Sequence, residues 1–136
     1  MSYSPPFLCP SLEIDSEVKR KVLGEWGEKI AREYLQNHGY HIIETNYRCK
    51  EGEIDIVALD KEYLVFVEVR TRRGCEFGSP EESVTDAKKK KLISLAFTYL
   101  QNHKNLPSLW RFDVVAIESD QRGKVIRLEL IRNAIN

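Results

Sequence analysis

Two apolar stretches of the chain are each broken by a single acid. Ile54 to Leu59 is apolar apart from Asp55, and Tyr63 to Val69 is apolar apart from Glu68. Short runs of this kind read as strands buried on both faces. Asp60-Lys61-Glu62 between them reads as a tight hairpin connection. If Lys61 and Glu62 form a two-residue loop, Asp55 falls directly opposite Glu68, with Cβ atoms about 5 Å apart on one face. A three-residue loop would send one acid to the other side of the sheet. Facing like charges destabilise a sheet, and buried carboxylates are costly unless paired or bound to a cation. A divalent metal ion bound by oxygen ligands is one answer. The other is that both acids sit at strand ends and pair with Arg48, Arg70 or Arg72.

The first helix offers a third carboxylate. From Ser16 to His38, Val22, Trp26, Ile30, Tyr34 and Leu35 form an apolar stripe, with Ala31 filling in and Gly39 as the stop. Gly24 and Gly27 lie inside this helix, and each costs about 1 kcal/mol relative to Ala there. Bare backbone that lets the helix lie close to the sheet would explain them. Glu28 could then reach the Asp55–Glu68 pair, or it could form a solvated i,i+4 pair with Arg32.

The rest of the chain completes an α/β pattern. Tyr40 to Thr45 is a short strand, and Arg72 to Pro80 a loop with Gly74 and Gly78. A second helix spans about Glu81 to Asn102, with Val84, Ala87, Leu92, Leu95, Ala96 and Tyr99 on its buried face. Phe112 to Ile117 is a buried strand and Val125 to Ile131 an edge strand. The order is α-β-β-β-α-β-β. The second helix supplies a crossover from the third strand to a parallel fourth. A mixed central sheet of about five strands flanked by helices is the expected architecture. Residues 1–15 hold three prolines and no periodicity, and read as a flexible arm before a single domain over 16–136.

Composition narrows the function classes. At 136 residues the chain has length for one domain. Its 21 Lys+Arg balance 21 Asp+Glu, so nucleic-acid affinity must come from local clusters rather than a globally basic surface. No apolar run approaches the roughly 20 residues that cross a bilayer, so no membrane is expected. The N-terminus lacks the pattern of a signal peptide. Cys9, Cys49 and Cys75 are odd in number and widely spaced, as in a reduced, cytoplasmic protein. His38 and His41 near Cys49 match no established zinc spacing.

Five short motifs occur in order: Gly24-x-x-Gly27-Glu28, Asn46-Tyr47-Arg48, Gly52-Glu53-Ile54-Asp55-Ile56, Val65-Phe66-Val67-Glu68-Val69 and Arg111-Phe112-Asp113-Val114-Val115. Together, over about Leu23 to Ile117, they resemble the YraN family of small bacterial proteins. That family is similar to Holliday-junction resolvases and other nucleases of the restriction-endonuclease fold. The resemblance implies an endonuclease-like core in which Asp55 and Glu68 hold Mg²⁺ or Mn²⁺. Glu28 matches the helix carboxylate of the resolvase-like branch. It implies a metal-dependent nuclease acting on DNA, including branched or repair intermediates, and resolvase-like relatives often act as homodimers. Such nucleases carry Glu-x-Lys where this chain reads Glu68-Val69-Arg70. Arginine does not lose its proton in practice, so Arg70 could orient a phosphate but not serve as a general base. Either the metal lowers the pKa of the attacking water, or another lysine enters, for which Lys88 is the candidate. Loss of the base altogether would leave a non-catalytic nucleic-acid-binding protein.

Basic residues surround this region in sequence. Arg48, Arg70, Arg72 and Arg73, with Lys88 and Lys91 of the four-lysine run 88–91, are the expected nucleic-acid contacts. The run reads equally as a solvated helix face. Four consecutive helical residues point in different directions, so Lys89 and Lys90 are expected to face solvent. Phe77 would stack on a base or bury itself against the core. Asp113 is expected to pair with Arg111 or Arg48 and not to bind metal.

Overall fold

The β2–β3 hairpin fixes the register of the whole sheet. In a computed structural model, which describes residues 16–74 and 79–135, strands β2 (Gly52–Asp60) and β3 (Tyr63–Arg73) turn through Lys61 and Glu62. Lys61 takes φ 55° to make that turn. The ladder runs from Asp60↔Tyr63 to Ile56↔Val67. The ladder ends there, so Asp55 and Glu68, the next positions that a two-residue loop aligns, are not paired in it.

The sheet has the order β1-β2-β3-β4-β5. Strand β1 (His41–Cys49) is antiparallel to β2, β4 (Leu109–Ser119) is parallel to β3, and β5 (Val125–Ile131) closes the far edge antiparallel to β4. Helix α2 (Asp86–Asn102) lies in the crossover between the parallel pair. The mixed sheet and the element order are those expected.

Each face of the sheet is covered by one helix. Helix α1 (Ser16–Asn37) packs Trp26, Ile30, Ala31 and Leu35 against Ile56, Ala58, Val65, Val67, Val115 and Ile117. Helix α2 packs Leu92, Leu95, Ala96 and Tyr99 against Ile54, Val57, Leu64, Phe66, Phe112 and Val114. The nearly unbroken apolar runs of β2, β3 and β4 follow from this burial on two sides.

Several boundaries differ from expectation. The strands are longer at their polar ends: β1 runs on to Cys49, β2 starts at Gly52, β3 extends to Arg73, and β4 covers Leu109–Ser119. The second helix does not start at Glu81. Ser79 and Glu82 form a capping box around a 3₁₀ turn, Pro80–Ser83, and a new helix starts after Thr85, whose side chain accepts from Lys88 N at 3.2 Å. Ala87 is accordingly exposed, not buried. The N-terminal arm over 1–15, Cys9, Cys75, Phe77 and Gly78 lie outside the described residues.

Asp113 is fully buried and belongs to a polar knot with Tyr40, which packs in the core on the helix α1 side of the sheet. Arg111 Nε donates to its Oδ1 at 3.0 Å, Tyr40 Oη donates to its Oδ2 at 2.7 Å, and Arg111 Nη2 also reaches Asp60 Oδ2 at 2.6 Å. Its partner is thus Arg111, which also ties β4 to β2 through Asp60.

Candidate metal centre

Helix α1 reaches the sheet through Gly27. A Cβ built there would lie 2.4 Å from Thr71 Cγ2, whereas one at Gly24 would meet nothing within 4 Å. Bare backbone at Gly27 therefore sets the helix on β3, and Glu28 follows directly. Gly24 instead borders an open cavity of about 340 Å³, lined also by Glu28, Asn46, Arg48, Glu53, Asp55, Val69 and Thr71.

Three carboxylates converge in this cavity. Glu28 of α1 with Glu53 and Asp55 of β2 offer ligand oxygens that all lie within 4.8 Å of one another. Asp55 sits where β2 has left the ladder with β3, and its Oδ2 accepts from Val69 N at 2.9 Å. The Glu28 carboxyl is pushed up to about 7, first by burial and then by Asp55 and Glu53, with Arg32 acting against the shift. Burial disfavours the charged form, and the neighbouring negative charges disfavour it further.

Glu68 lies on the other side of Asp55, nine-tenths buried. Its carboxyl is hydrogen-bonded to that of Asp55, and burial together with this neighbour raises its pKa strongly. Its Oε2 has no hydrogen-bond partner. Lys88 Nζ and Arg70 Nη2 approach that oxygen at 3.8 and 3.9 Å. Neither acid is hydrogen-bonded to a guanidinium of its own. An all-oxygen donor set with one orphaned buried oxygen suits a hard divalent cation such as Mg²⁺ or Mn²⁺.

The expected basic residues separate. Arg48 Nε lies 3.4 Å from Glu53 Oε2 with its side chain well exposed. Lys91 lies over the β1–β2 turn, with Nζ 3.6 Å from where a Gly52 Cβ would stand. Arg48 thus stands at Glu53, and Arg70 and Lys88 at Glu68, while Lys91 lies beside Gly52. Arg73 does not join them: its Nη2 donates to the Gln121 carbonyl at 2.8 Å, in the β4–β5 turn. A strand advances about 3.3 Å per residue, which carries Arg73 past the cavity. Arg72 stands beside Glu118 in the β3–β4 ladder.

Two residues of the site escaped sequence reasoning, although both lie in motifs quoted above. Glu53 is two positions before Asp55, and the period of a strand places it on the same side. Asn46 takes φ 54° in β1. Assigned so that its hydrogen bonds are satisfied, its amide places the nitrogen 2.7 Å from Glu28 Oε1 and 2.8 Å from Glu53 Oε1, as a donor to both.

Comparison with known sequences matches the uncharacterised protein family UPF0102 to residues 27–117, the span that carries Glu28 through Asp113. The chain belongs to the UPF0102 family. This is the YraN family of the sequence resemblance. A UPF0102 protein of Dehalococcoides mccartyi is 52% identical over 116 residues, covering 85% of this chain and 94% of its own length. One from Pelotomaculum thermopropionicum is 46% identical over 115 residues, 85% and 96% of the two chains. One from Desulforamulus reducens is 46% identical over 120 residues, 87% and 98%. No helix among the described residues of this UPF0102 protein is long and apolar enough to cross a membrane.

Proposed function

We propose that this UPF0102 protein is a Mg²⁺- or Mn²⁺-dependent nuclease that hydrolyses phosphodiester bonds in DNA, in the cytoplasm. The observation that carries the reading is Asp55, which meets Glu28 and Glu53 on one side and, on the other, the buried Glu68, whose Oε2 has no hydrogen-bond partner. Glu28, Asp55 and Glu68, with Glu53, would hold the metal. When bound, the metal would supply a Lewis acid and lower the pKa of the attacking water.

The protein's own cations would position the substrate. Arg70 and Lys88 both face Glu68 Oε2, and both can contact a phosphate placed beside it. Arg70 offers a planar fork for two phosphate oxygens and keeps its proton. Lys88 is the residue of the pair whose type can give up a proton, and the Thr85 cap holds it in the first turn of α2. Arg48 and Lys91 extend the positive rim along the path of a strand.

Arg70 in the place of a lysine favours a second reading, a nucleic-acid-binding protein without catalysis. Purified protein with branched, single-stranded and duplex DNA separates the two. Cleavage that needs Mg²⁺ or Mn²⁺ and disappears in Asp55→Asn and Glu68→Gln supports the nuclease. Undiminished cleavage in both variants removes it. Salt-sensitive binding with no metal-dependent turnover favours the second reading.

A further inference from the structure

Asn46 breaks a strand in order to reach the acids. Thr45↔Ile56 and Tyr47↔Ile54 pair on either side of it, but Asn46 and Asp55 between them do not. Its φ of 54° lies in the left-handed region, which Asn tolerates better than most residues. That turn of the backbone aims the end of the amide at two carboxylates from different elements, Glu28 of α1 and Glu53 of β2; with the amide assigned by its hydrogen bonds, the nitrogen stands 2.7 Å and 2.8 Å from them. Both belong to the trio whose ligand oxygens converge. The nitrogen therefore stands where positive charge is wanted.

A side-chain amide has two different ends. The NH₂ donates to carboxylates, and the oxygen accepts or ligates a hard cation. A half-turn of the terminal torsion exchanges them with no movement of the backbone.

We propose that Asn46 is a ligand of this metal centre: its NH₂ bridges Glu28 and Glu53 in the metal-free protein, and its Oδ1 turns inward to the cation when one binds. The inference rests on the metal-centre reading given under Proposed function. Glu68 supports it independently: this buried acid is hydrogen-bonded to Asp55 of the same trio, and its Oε2 has no hydrogen-bond partner.

Mn²⁺ titrated calorimetrically into the full chain, Asn46→Gly and Asn46→Asp tests it, alongside thermal unfolding in EDTA. Glycine keeps the positive φ and removes the amide. Aspartate keeps the shape and the oxygen and removes the donor. The expected result is Mn²⁺ affinity lower by about tenfold or more in Asn46→Gly, and at least equal to wild type in Asn46→Asp. In EDTA, Asn46→Asp should unfold at lower temperature than wild type, and saturating Mn²⁺ should close the gap. Equal affinity in Asn46→Gly and wild type overturns the proposal. So does an Asn46→Asp variant as weak as Asn46→Gly, which is the signature of an amide that only donates. A wild type that binds no Mn²⁺ overturns the metal centre itself, a result distinct from either of these.

Discussion

Gly27→Ala should destabilise this protein although it replaces a poor helix former with the best one. The new methyl would stand 2.4 Å from Thr71 Cγ2. Carbon atoms in contact sit about 3.5–4.0 Å apart, so helix or strand must yield by about 1 Å. Thr71 is β-branched and stiff at χ1, and α1 is pinned by buried Trp26 and Ile30. Overpacking of this kind costs about 1–3 kcal/mol, against a gain of up to about 1 kcal/mol in helix propensity. The net loss should be about 1–2 kcal/mol, or several degrees in Tm for a domain of this size.

Gly24→Ala supplies the control. Its methyl meets nothing within 4 Å, so it should stabilise by about 0.5–1 kcal/mol. Thr71→Ala supplies the rescue. With Cγ2 gone, the remaining neighbours of the new methyl are Val69 Cγ1 at 3.7 Å and Thr71 Cβ at 3.8 Å, both ordinary contacts. Urea unfolding of the four proteins of the Gly27/Thr71 cycle should give a favourable coupling of about 1 kcal/mol or more. Glu28 moves with Gly27, so Mn²⁺ affinity should fall in Gly27→Ala and return in the double variant. A Gly27→Ala protein as stable as wild type, or a penalty that Thr71→Ala leaves untouched, would refute the claim that bare backbone sets the helix on the sheet.

Two further outcomes follow from the site and from the polar knot. Glu28 titrates near 7 in the folded protein against about 4.5 unfolded; its contribution is therefore complete below about 4.5 and is lost as pH rises through 7. Metal-free protein should be more stable in urea at pH 5.5 than at pH 8. Glu28→Gln should remove part of that slope, and Mn²⁺ affinity should rise over the same interval, because the cation displaces protons. A stability unchanged between the two pH values would contradict this. Arg111→Met leaves buried Asp113 without its cation and should cost about 3–5 kcal/mol by calorimetry. Mn²⁺ affinity in that variant should stay unchanged, because the knot and the cavity share no residue.

The fold was largely legible because apolar pattern and turn chemistry agree. Unbroken hydrophobic runs marked the central strands, and Lys61–Glu62 set their register. The strand ends were not legible, since Glu53, Arg48, Arg70, Arg72 and Arg73 are charged and resemble loop. They are charged because the strands leave the core there to build the cavity. The start of α2 was hidden for a related reason: Ser79 and Glu82 form a true capping signal, but the turn they cap ends at Ser83. Arg73 is near Arg70 in sequence but apart from it in space, because each strand residue advances about 3.3 Å and the Arg73 guanidinium reaches the Gln121 carbonyl. Strand alternation alone puts Glu53 beside Asp55, whereas the role of Asn46 depends on a broken ladder, which alternation rules do not foresee.

That break makes Asp55 structural as well as chemical, and the choice of substitution matters accordingly. Where β2 leaves β3, the Val69 N–H loses its place in the ladder, and Asp55 Oδ2 accepts from it instead. Asp55→Ala would orphan a partly buried donor at a cost of about 1–3 kcal/mol. Loss of activity in that variant would mix damage to the sheet with damage to the site. Asp55→Asn keeps an oxygen that can accept from Val69 N and removes the charge. It should retain wild-type stability in urea to within about 1 kcal/mol, or gain slightly, since it also relieves repulsion with Glu28 and Glu68. Mn²⁺ affinity should nevertheless fall by about tenfold or more. An Asp55→Asn protein that unfolds as readily as Asp55→Ala would show that the Val69 bond depends on a full charge, and that the open ladder at this point is held by electrostatics rather than by an acceptor alone.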